Sequence, residues 1–98
     1  MIEAKDLKAA TELYISDKDI VAQASYLQSS EEAFAIQIGD TRASIRKAVR
    51  LSNWEAVVIY SKSLEEQTIY FKVYEEMARA RYEEASAELD RQAGRVSA

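Results

Sequence analysis

Apolar positions in the first half of the chain recur at helical spacing. Leu7, Ala10 and Tyr14 stand at i, i+3 and i+7 within residues 4–15, which is one face of a 3.6-residue repeat. Ile20, Ala24 and Leu27 form a second such face. Ser16 with Asp19, and Ser29 with Glu32, have the spacing of capping boxes, in which a hydroxyl and an acid satisfy the free N–H groups that open a helix. The pattern therefore predicts a helix over 4–15, a second opened by Ser16 and a short third opened by Ser29. Gly39 supplies a stop for the third. Thr41 can cap a fourth, over 42–51, whose inner face is Ile45, Ala48 and Val49.

The second half changes period. Glu55–Ser61 contains the β-branched and aromatic run Val57-Val58-Ile59-Tyr60. Gln67–Tyr74 alternates, with Ile69, Phe71 and Val73 on one side and Thr68, Tyr70 and Lys72 on the other. Period two argues a half-buried strand. The two runs would pair as an antiparallel hairpin across Lys62–Glu66, a turn without Gly, Asn or Asp. Tyr74, Ala78, Tyr82, Ala85 and Leu89 then mark a last helix over 75–93. The expected fold is mainly α: a helix-turn-helix DNA-binding region over 1–54, then a β-hairpin and C-terminal helix over 55–98 that dimerise.

A competing pattern runs through the same residues. Leu13, Ile20, Leu27 and Phe34 are seven apart, as in a coiled coil. Phe34, Ile38, Ile45 and Ala48 are then the core stripe of an ordinary helix, and Arg42, Arg46 and Arg50 its solvated face. Gly39 counts against this, since Gly inside a helix costs about 1 kcal/mol. Asp17 and Glu31 also fall on that seam.

Composition narrows the chemistry. The 98 residues suit one domain, with a core small enough that dimerisation would help it. There is no Cys and no His, so there is no disulfide, no thiolate or imidazole metal ligand and no imidazole base. The 17 acids read as solvated surface. The expectation is a non-enzyme with no cofactor and no metal. No apolar run is long enough to span a membrane, and Met1–Asp6 shows no signal-peptide pattern; a cytoplasmic protein is expected. The net charge of −4 argues mildly against nucleic acid, but its distribution matters more. Arg42, Arg46, Lys47 and Arg50 cluster between Thr41 and Leu51 with no acid among them, while acids crowd Glu75–Asp90.

Those cations lie in a segment with helix-turn-helix spacing. A small residue where the helices cross, a Gly four positions on and a branched apolar residue six further are met by Ala35, Gly39 and Ile45. Phe34, Ile38 and Ala48 supply other inward positions; Asp40 departs from the pattern, where an apolar residue is usual. Thr41, Arg42, Ala43, Arg46, Lys47 and Arg50 would face DNA. Arg42 and Arg46 are placed to read bases, and Lys47 and Arg50 to hold phosphates, with Thr41 assisting and the Ala43 methyl against thymine. Tyr70, Phe71 and Tyr74 are expected in the core and dimer interface, rather than stacked on single-stranded bases.

Phe34-Ala35, the turn Gly39-Asp40-Thr41-Arg42 and Trp54 resemble the DNA-binding segment of the KorA/TrfB family of plasmid repressors; Cro-type and Cox-type phage proteins share the element order. The resemblance implies a homodimeric transcriptional repressor on a double-stranded DNA operator, with a protein co-repressor able to act through the dimer region. Two other readings stay open: a phage excisionase or recombination directionality factor, and a helical adaptor or structural protein that binds no DNA. Nearly pure helix would favour the last.

Overall fold

The computed structural model of the protein describes residues 3–94. It holds three helices: α1 (Ala4–Ile15), α2 (Ile20–Arg50) and α3 (Trp54–Gln92). α2 and α3 form a long antiparallel hairpin, and α1 packs chiefly on α3 near the open end. At 1.5 Å per residue, the 39 residues of α3 account for most of the rod's 63 Å length.

This corrects the expected fold at two places. Among the described residues there is no strand. Val57–Tyr60, Lys62–Glu66 and Gln67–Tyr74 are all interior to α3, so the β-hairpin does not exist. Nor does the helix-turn-helix. Gly39 and Thr41 lie inside α2, and the expected helix start at Ser29 is likewise mid-helix. The five short helices of the sequence reading become three, two of them long. Residues 1–2 and 95–98 of the expected regions lie outside the described residues.

The breaks that do occur have local causes. Ser16 does not open α2 but closes α1, its hydroxyl donating to the Leu13 carbonyl at 2.8 Å. Asp19 is the true N-cap, its Oδ1 accepting from the Ala22 N–H at 2.8 Å. At the other end of α2 the chain reverses in Leu51-Ser52-Asn53. The Asn53 N–H donates to the Ala48 carbonyl at 2.9 Å and the Ser52 N–H to Val49 at 3.0 Å. Those two bonds make a Schellman closure, with Ser52 in the left-handed region at φ 53°. Asn53 then opens α3, its Oδ1 accepting from the Ala56 N–H at 3.2 Å.

The core sits in the half of the rod where three helices meet. Ile15 from α1, Leu27 from α2 and Val73, Tyr74 and Met77 from α3 are buried together. Leu7, Tyr26, Phe34 and Ala78 pack around them. The Phe34 ring lies near-parallel to Tyr74, with centroids 5.7 Å apart, and edge-on to Tyr70 at 5.4 Å. Arg81 ties the three helices together. It pairs with Glu12 of α1 and donates to the Gln23 side chain of α2 at 2.9 Å. Beyond Phe34 only two helices remain, and burial thins to Thr41 and Ala48 on α2.

Candidate interaction surfaces

Three surfaces stand out, and each follows from where the seam between α2 and α3 runs. Thr41 and Ala48 are seven apart, in line with Leu27 and Phe34, and all four face inward at the seam. Thr41 therefore neither caps a helix nor faces solvent. It is buried, and its hydroxyl donates to the Gln67 side-chain Oε1 at 2.8 Å. Of the expected DNA-facing set, the other five are on the outside. Arg42, Ala43, Arg46, Lys47 and Arg50 are all exposed. Arg42, Arg46 and Arg50 are four apart and so share one line on the helix. Among the described residues none of these four cations is in an ion pair; the pairs are Lys5–Glu3, Arg79–Glu75, Arg81–Glu12 and Arg91–Glu88. Lys47 and Arg50 also complement the negative end of the α2 dipole.

The second surface is the tip of the hairpin. Leu51 is 68% exposed and Trp54 61%. Val49, Val58 and Ile59 beside them are about half exposed or more. Two crossing helices have no third layer with which to cover such residues. Sequence reasoning takes Trp54 as part of a family resemblance and Val57–Tyr60 as a strand, and misses this patch. The signal that marks it is Ser52-Asn53, a left-handed cap followed by an Asx N-cap, which places Leu51 and Trp54 on the two sides of a reversal.

The third is an open groove of about 850 Å³ between α2 and α3 at the opposite end of the rod. Its small side chains include Ala24, Ser25, Ala78 and Ala85, with Tyr82 and Leu89 beside them. Tyr82 and Leu89 remain 69% and 51% exposed. Glu31, Glu75 and Glu83 also line it, with Arg79 spanning to Glu75 at 3.7 Å.

Two tyrosines are electrostatically perturbed. The Tyr70 hydroxyl donates to Glu66 at 2.7 Å, and that bond, then burial, raises its pKa above the usual tyrosine value. Burial, followed by the neighbouring Tyr74, raises Tyr26. Among the described residues no group of three or more acidic side chains is gathered to hold a metal ion, and no helix is long and apolar enough to cross a membrane. No known family model, curated protein or solved structure matches the chain.

Proposed function

We propose that the chain is a non-enzymatic helical adaptor or structural protein, which works by docking its uncovered helix faces against other helices. The observation that carries this reading is the tip: Leu51, Trp54, Val58 and Ile59 stand in water on a well-capped reversal. Apolar groups clustered at one end of a rod are the usual mark of an interaction surface. The cytoplasmic setting expected from the sequence belongs to the same proposal. A photoreactive amino acid in place of Val58, expressed in the native host, tests it. Light should link the tip to a helical protein, which includes a second copy of the chain. Adducts confined to nucleic acid, or none at all, would sink the reading.

A second reading, double-stranded DNA binding, is favoured by the unpaired cations Arg42, Arg46, Lys47 and Arg50. With no helix N-terminus at Thr41, this face offers contacts to phosphates along the outside of a straight helix. Such binding is sequence-tolerant and salt-dependent. A repressor or a directionality factor would in addition need preference for one site. Titration of a random duplex pool at two salt concentrations separates the two readings. DNA binding requires the salt slope to flatten by about one unit for each of Arg42→Ala, Arg46→Ala, Lys47→Ala and Arg50→Ala that removes a phosphate contact. The adaptor reading expects no such change.

A further inference from the structure

The exposed apolar tip and the groove, whose lining mixes small apolar and charged side chains, sit at opposite ends of the rod, and the charge is divided between the same two ends. Residues 41–64 hold Arg42, Arg46, Lys47, Arg50 and Lys62 against the single acid Glu55. The remaining acids all lie outside that segment. Glu75–Asp90 alone has six of them, Glu75, Glu76, Glu83, Glu84, Glu88 and Asp90, against Arg79 and Arg81. One end is thus apolar and positive, the other grooved and negative.

We infer that two copies of the chain pair antiparallel about a two-fold axis, each seating its tip in the groove at the open end of the other. The inference rests on the adaptor reading and names its partner. A two-fold antiparallel pairing satisfies both ends at once, because each copy supplies one tip and one groove. Leu51, Trp54 and Val58 meet the small side chains Ala24, Ala78 and Ala85, which leave room for large ones. Arg46 and Arg50 come against Glu75 and Glu83. Opposite potentials facing each other fix the register and disfavour the parallel arrangement, which would set tip against tip.

The surface areas agree. The chain exposes 6988 Å², whereas a compact monomer of its mass would expose about 5,700 Å². The excess is larger than the about 800 Å² that each partner gives up in a standard interface. An anionic lipid surface would also suit the tip, but it would leave the groove, Tyr82 and Leu89 uncovered at the far end. A second copy accounts for both patches.

The absence of Cys makes the geometry directly testable. Ser52→Cys marks the tip and Ser86→Cys the groove. Sedimentation at tens of micromolar should give a dimer, as a rough concentration for a specific interface. Mild oxidation of the mixed variants should link Ser52→Cys to Ser86→Cys far faster than either to itself. Spin labels on Ser52→Cys alone should lie roughly 35–50 Å apart, the helical rise that separates the tip from the groove residues Ala78–Ser86 along α3. Arg46→Glu with Arg50→Glu should weaken the dimer at least tenfold, and mixing that variant with a Glu75→Lys, Glu83→Lys chain should restore pairing as a heterodimer. A dimer with short Ser52–Ser52 distances overturns the inference and leaves the adaptor reading standing. A helical monomer overturns the inference too. If that monomer's Trp54 becomes shielded only on vesicles containing anionic lipid, the adaptor reading falls as well.

Discussion

Gly39 is helical, exposed and surrounded by open space: a Cβ built there meets no atom within 4 Å. Nothing in the packing requires a glycine, so Gly39→Ala should stabilise the protein by about 1 kcal/mol through helix propensity alone. The same substitution would destabilise a helix-turn-helix, where this residue needs positive φ. Chemical denaturation of the variant therefore distinguishes the two folds, and a loss of stability would refute the continuous helix. Ser52 is the opposite case, a side chain held at φ 53° where Gly is the natural occupant. Ser52→Gly should raise stability by about 1 kcal/mol as well, read as a shift of the urea midpoint with unchanged slope. The tyrosines add a pH dependence. Both Tyr26 and Tyr70 have pKa values raised in the folded state. Their contribution is thus complete below the unfolded tyrosine value of about 10 and is lost as pH rises through the folded values. Above about pH 10 the urea midpoint should fall, and less steeply for Tyr26→Phe with Tyr70→Phe than for the parent. Equal slopes would show that the raised values have no bearing on folding.

Each element was legible in the sequence to a different depth. α1 is legible at its observed bounds from amphipathic spacing alone, whereas Ser16, expected to open the next helix, closes this one. The existence of helix over 20–50 was also legible, but its continuity was not. Gly39 and the cap-like Ser29 and Thr41 each offer a local stop, and a stop costs only about 1 kcal/mol to override. Packing overrides it: Leu27, Phe34, Thr41 and Ala48 stay on one seven-residue seam only if the helix does not break. The strand reading of Gln67–Tyr74 failed for a related reason. β propensity reflects fit to a half-buried surface more than a backbone preference. Tyr70, Val73, Tyr74 and Met77 also fall at helical spacing, and the Thr68 hydroxyl bonds back to the Leu64 carbonyl at 2.7 Å. The missing Gly, Asn or Asp in Lys62–Glu66 was the correct signal, since without a turn the chain had no reason to reverse. Of the site, the outward position of Arg42, Ala43, Arg46, Lys47 and Arg50 was legible from helical phase, whereas Thr41 was not, because its burial depends on Gln67 of another helix. The division of the core has its own consequence. Leu27→Ala should cost about 2–5 kcal/mol, as a fully buried side chain. Amide exchange should be slowest around Leu27 and Met77 and faster through Val49–Val58, where two helices stand alone. Uniform protection along the rod would contradict that division.

At the scale of the whole molecule the shape is extended. The radius of gyration is 17.8 Å, against about 13 Å for a compact chain of this length. A rod of this kind gains stability from whatever lies along it, so folding and association should be linked. If the partner is a second copy, the melting temperature must depend on concentration by mass action. A tenfold rise in protein is worth about 1.4 kcal/mol to a dimer, which for a two-chain unit of this size corresponds to about 3–5 °C. Salt should act on the same quantity, because Arg46 and Arg50 facing Glu75 and Glu83 are held partly by charge. Raising the ionic strength from 0.01 to 1 M shortens the Debye length from about 30 to about 3 Å and should lower the melting temperature of the dimer. The apolar part of the interface responds in the opposite direction to sulfate, which strengthens effective burial. Chloride and sulfate at matched ionic strength thus separate the two contributions: chloride should weaken pairing, and sulfate should weaken it less. Leu51→Ser with Trp54→Ser should remove the concentration dependence while leaving the helical signal in place, because neither side chain contributes to the core around Leu27 and Met77. A melting temperature that does not move across a hundredfold range of concentration would show that the tip and the groove are not filled by another copy of this chain.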